Sequence, residues 1–92
     1  MTKTDRKKPN TMTIDQVAKH IIAELTPAQR EGLKTSTMPA VGYHRSLGLF
    51  IRNKYIYPGT FRIDTSGVIG AWGADGVSNV IVERMLQILR KK

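Results

Sequence analysis

Apolar residues recur at Ile14, Val17, Ala18, Ile21, Ile22 and Leu25. This spacing of i, i+3, i+4, i+7, i+8 and i+11 puts them on one face and predicts a helix over residues 14–25. Thr13 and Gln16 stand before it at the separation of a capping box. In that motif the Thr hydroxyl accepts from an early helical N–H and the Gln amide reaches back to the cap. Thr26 and Gln29 repeat the signal around Pro27, whose missing N–H costs nothing at the first helical position. A short second helix is expected over residues 27–34, with Ala28 and Leu33 inward. Together the two helices form a helix-turn-helix-like corner. Its second helix is barely two turns long and contains Gly32, so a packing corner is expected in preference to a DNA-reading one.

Met38, Pro39 and Gly42 read as a connection. A third helix is predicted over residues 43–55. Stepping 100° per residue turns Tyr43, Leu47, Phe50 and Ile51 inward, with Gly48 and Tyr55 at the edge of that arc. The same stepping places Arg45 and Arg52 on one outward azimuth as a two-arginine stripe. Beyond Pro58 and Gly59 the pattern weakens. Phe61, Ile63, Val68 and Ile69 alternate across a polar turn, which fits either a short hairpin or an irregular loop. Gly67, Gly70, Gly73 and Gly76 recur every third residue, without the prolines of a collagen-like repeat. They suit a backbone bending around Trp72, expected as a cover on the core. A fourth helix starts near Asp75, which suits a helix N-terminus. Val77, Val80, Ile81, Met85, Leu86, Ile88 and Leu89 form its apolar face, closing the core over the first and third helices.

The expected fold is a mainly α, small four-helix domain over residues 13–89, flanked by a disordered basic arm (residues 1–12) and a basic tail (residues 90–92). The chain of 92 residues carries a formal charge of +8. That charge is concentrated at its ends. Lys3, Arg6, Lys7 and Lys8 outweigh Asp5 at one end, and Arg90, Lys91 and Lys92 are unopposed at the other. Such ends favour any polyanion without shaping a site. There is no cysteine, so neither a disulfide framework nor a thiolate metal site is available, which fits a cytoplasmic setting. No apolar run approaches a signal h-region or a membrane span.

Candidate chemistry is sparse. The glycine-rich stretch before the fourth helix lacks the G-K-[ST] ending of a phosphate loop and puts Asp75 where an anion would sit. His20 and His44 are far apart and lack clustered carboxylates, so no metal site is expected. His44 and Ser46 would point to different sides of a helix, and no acid is placed to orient a nucleophile pair. No enzyme and no cofactor are expected.

His44, Gly48 and Ile51-Arg52-Asn53, followed by Asp75 and Ser78, resemble the pattern H-x-x-x-G-x-x-I-R-N … D-x-x-S of a family of small uncharacterised bacterial domains. In that family a loop often carrying Trp links two helices. The resemblance covers residues 43–89; Tyr55-Ile56-Tyr57 departs from the Leu-Trp pair typical there. It implies no activity. It does suggest a clasp of Arg52, Asn53, Asp75 and Ser78 joining the ends of the third and fourth helices, by way of the fork geometry of an Arg–carboxylate pair. The alternative role for this region is a binding surface of His44, Arg45, Arg52, Tyr55 and Arg62. The expected function is a non-enzymatic binding or adaptor domain for a protein partner, since Arg and Tyr are favoured at interfaces. A nucleic-acid-binding accessory protein using the basic tails and the arginines is the alternative.

Overall fold

The computed structural model describes residues 11–59 and 62–90, apart from the Val41 side chain. Both capping boxes form. Thr13 Oγ1 accepts from the Gln16 amide at 3.1 Å while Gln16 Oε1 accepts from the Thr13 amide at 2.9 Å. Thr26 and Gln29 repeat these distances. The first box opens α1 (Ile14–Glu24) and the second opens α2 (Pro27–Thr35) with Pro27 in its first turn. Each cap contributes about 1 kcal/mol by satisfying amides that no helical carbonyl can reach.

Ile14, Val17, Ala18 and Ile21 of α1 are buried, as their spacing predicts. They meet Ile81, Val82, Met85 and Leu86 of the long α4 (Gly73–Arg90). Arg84 Nε lies 2.7 Å from Asp15 Oδ1 and ties the exposed seam between these helices. Tyr43, Ile51 and Tyr55 complete the core. α2 buries no residue fully: Leu33 is half-buried, and Ala28, expected inward, is exposed.

The third helix is not continuous. A 3-10 turn (Ala40–Tyr43) leads through a bend at residues 44–46 into α3 (Leu47–Ile51), which widens into a π-helical turn (Arg52–Ile56). Ser46 adopts φ −107° and ψ −87°, outside the helical basin. Its amide and hydroxyl both donate to the Tyr43 carbonyl, at 3.1 and 3.4 Å. The azimuths of Arg45 and Arg52 are therefore unrelated, and the outward stripe does not exist. Arg45 is exposed, whereas Arg52 is buried at 6% exposure. Phe50, expected in the core, is 42% exposed. The wide turn, closed by the Tyr57 amide on the Arg52 carbonyl at 2.8 Å, spans two inward side chains, Arg52 and Tyr55, that have different partners.

Neither a hairpin nor a wholly irregular loop precedes α4. Instead β2 (Arg62–Asp64) pairs in parallel with β1 (Thr11–Thr13), in the register Thr11↔Arg62, Met12↔Ile63 and Thr13↔Asp64. Met12 and Ile63 share the half-buried face and pack on the core. The strand thus claims Thr11 and Met12 from the segment expected to be a disordered arm. The rest of that arm, Phe61, Lys91 and Lys92 lie outside the described residues. Arg90 does not hang free as a tail residue, because its Nε donates to the Leu33 carbonyl at 3.0 Å and fastens the end of α4 to α2. Trp72, expected over the core, is 77% exposed.

Candidate functional site

Arg52 is the centre of a clasp between α3 and α4. Its Nη1 donates to Ser78 Oγ at 3.0 Å and its Nη2 to the His44 carbonyl at 3.2 Å, while Nε lies 3.5 Å from Asp75 Oδ1. Ser78 Oγ in turn donates to the Asp75 carbonyl at 3.0 Å. A buried guanidinium is tolerable only when its charge and its donors are met, and this one is met by three residues, one on the bend before α3 and two on α4. Gly48 makes room for it: a Cβ there would lie 3.2 Å from Arg52 Nη1 and 3.3 Å from the Tyr43 carbonyl oxygen. His44, Gly48, Arg52, Asp75 and Ser78 of the family-like pattern thus converge, although His44 contributes its backbone rather than its imidazole. Asn53 is exposed and takes no part. Asp75 lies inside the first turn of α4 rather than at its cap.

The five residues expected to form a binding surface do not share one. Arg52 is withdrawn into the clasp, and Tyr55, at 2% exposure, is packed beside α1. Arg45 stands on the bend before α3 and Arg62 on β2, both exposed, with His44 half-buried.

What α1, α2 and α3 enclose instead is an open groove of about 520 Å³. Ile21, Leu25, Leu33, Leu47 and Phe50 are its apolar lining, and Glu24, Gln29, Ser46 and Lys54 are its polar points. It exists because α2 is short and lacks an inward residue besides Leu33, so its sparse face cannot fill the space beside α3. The signal for it in the sequence is the poverty of apolar residues in α2.

One end of the groove carries a polar cluster. The Tyr55 hydroxyl donates to Glu24 Oε1; Lys54 Nζ and His20 Nε2 each lie 3.5 Å from a Glu24 oxygen. Lys54 also sits 5.5 Å from the centre of the Phe50 ring, and His20 meets Tyr55 edge-on at 5.9 Å. Burial, and then the Glu24 carboxylate, push the Tyr55 hydroxyl well above its ordinary ionisation range. Glu24 is held below its ordinary value first by the Tyr55 hydrogen bond and then by its neighbours Lys54 and His20.

Asp75 faces Arg52, and Asp64 Oδ1 accepts from the Ser66 amide at 3.0 Å. Among the described residues no cluster of three or more His, Asp or Glu is arranged to hold a metal. Nor is any helix there long and apolar enough to cross a membrane. Comparison with protein-family models, with characterised proteins and with solved structures yields no match to the chain.

Proposed function

We propose that the chain is a non-enzymatic binding or adaptor domain, cytoplasmic in setting, that engages a protein partner through the groove between α1, α2 and α3. The observation that carries this reading is an apolar concavity of about 520 Å³ whose wall includes the half-exposed Phe50. Concave apolar surfaces with a few fixed polar points are the usual form of a recognition site, and aromatic anchors at their centre supply much of the affinity. Glu24 and Lys54, held by neighbours at one end of the groove, would orient the occupant.

The test compares captures from a native lysate by the wild-type chain and by Phe50→Glu, each with and without nuclease. A nuclease-resistant protein captured by the wild type and lost with Phe50→Glu supports the reading. A capture that depends on nucleic acid, falls steeply with log[salt] and ignores Phe50→Glu instead supports nucleic-acid binding by the basic tails with Arg45 and Arg62. Arg52 no longer belongs in that set, because its donors are committed to His44, Asp75 and Ser78.

A further inference from the structure

Gly67, Gly70 and Gly73 adopt φ of +74°, +91° and +72°, the left-handed region that residues with a Cβ avoid. Their three-residue spacing turns the chain at each glycine and sorts the residues between them. Val68 is half-buried against the core and Ala71 is buried, whereas Ile69 is 90% and Trp72 77% exposed. The loop is pinned where it touches α4: a Cβ on Gly76 would lie 2.4 Å from the Gly70 carbonyl oxygen, so only glycine admits that approach. The Val68 amide donates to the Thr65 carbonyl at 3.0 Å and closes the preceding turn. Ile69 and Trp72 are thus held outward by a backbone anchored on both sides of them, a pre-organised apolar knob.

We infer that this knob seats in the groove of a second copy of the chain, so that two copies pair about a two-fold axis with each knob in the other's groove. The inference rests on the protein-partner reading above and names the partner. Knob and groove are complementary in kind. One is convex, aromatic and aliphatic; the other is concave and lined by Ile21, Leu25, Leu33, Leu47 and Phe50. Trp72 cannot be satisfied by its own groove, since it stands exposed while that groove is open. An indole buries roughly 150–250 Å². With Ile69 and the groove walls counted, two reciprocal contacts hide on the order of 1,000 Å², the lower bound for a specific interface and the size of a weak one. A two-fold closes both contacts at once and leaves no knob to recruit a third copy. Because each copy carries +8, charge opposes the pairing, and added salt strengthens it by screening.

Trp72 is the chain's single tryptophan, so its emission reports the contact directly. The experiment is sedimentation velocity and intrinsic fluorescence on the full chain from about 1 µM to about 500 µM, the range of a weak dimer. The expected result is a monomer that becomes a dimer and no larger species, with emission moving to shorter wavelength in step and the midpoint falling as salt rises. Trp72→Ala removes the knob and Phe50→Glu blocks the groove; each weakens self-association by at least about 30-fold, the loss of a hot-spot aromatic. Leu33→Glu on the opposite wall repeats the groove test, and far-UV circular dichroism confirms that each variant is folded. A wild-type chain that stays monomeric with unchanged emission, or a Trp72→Ala variant that associates like the wild type, overturns the inference. If the chain is monomeric yet Phe50→Glu abolishes capture of another protein, the groove reading stands without this partner. If Phe50→Glu changes neither capture nor self-association, both fall.

Discussion

Arg52 Nη1 and Ser78 Oγ, 26 positions apart in the chain, are 3.0 Å apart in space. This bond joins the π-helical turn after α3 to the first turns of α4 inside the fold, where both residues are buried. Removing either partner leaves a buried polar group unmet. Arg52→Ala is expected to cost about 2–5 kcal/mol, since it opens a cavity and leaves the His44 carbonyl without its donor. Ser78→Ala is expected to cost about 1–3 kcal/mol. Urea unfolding of both variants and of the double variant should show non-additivity of at least about 0.5 kcal/mol. Arg84→Ala is the control: its pair with Asp15 is part-exposed, so its loss should cost under about 1 kcal/mol.

Gly48 and Gly32 predict opposite outcomes for the same substitution. Both are helical, where Ala is intrinsically better by roughly 0.5–1 kcal/mol. At Gly32 a Cβ meets nothing within 4 Å, so Gly32→Ala should raise the urea midpoint. At Gly48 the Cβ comes within 3.2–3.3 Å of the Arg52 guanidinium and the Tyr43 backbone. The first is held by three partners and the second by a turn, so neither yields, and Gly48→Ala should cost about 1–3 kcal/mol net.

The Tyr55–Glu24 bond makes stability pH-dependent at both ends. Burial and the carboxylate raise the Tyr55 value above its ordinary 10.0. The stabilisation is therefore complete below about pH 10 and is lost as pH rises beyond it, because the unfolded chain ionises first. The Glu24 value is lowered from its ordinary 4.5. Its contribution is present above that pH and is lost as pH falls through the lowered folded value. Asp15, lowered by Arg84 and then Lys19, acts in the same direction. Urea unfolding measured from pH 3 to 11 should show both limbs in the wild type, and Tyr55→Phe should flatten the alkaline one while lowering stability at pH 7 by about 1–2 kcal/mol.

Both capping boxes and the buried face of α1 were legible because each is a local relationship among residues within one or two helical turns. So was the amphipathic reach of α4, although Val82 and the clasp residue Ser78 belong to its buried face and were not counted in it. Azimuth failed for Arg45 and Arg52 because it presumes an unbroken helix. Ser46 leaves the helical basin, and the downstream turn widens. Polarity failed for Arg52 and hydrophobicity failed for Trp72 for a shared reason: residue type states what burial costs, whereas position states whether partners are there to meet that cost.

By itself the sequence determined the starts of α1 and α2, the helical faces of α1 and α4, and the glycines on which the loop before α4 turns. These rest on hydrogen bonds and periodicity that span few residues. Only the tertiary structure decided that residues 11–13 pair with residues 62–64, that Arg52 is buried in its clasp with Ser78 while Asn53 stays outside it, that α2 leaves a groove beside α3, and that Ile69 and Trp72 face outward. Each of these depends on contacts between segments far apart in the chain, where packing selects one arrangement from several that local preferences allow equally.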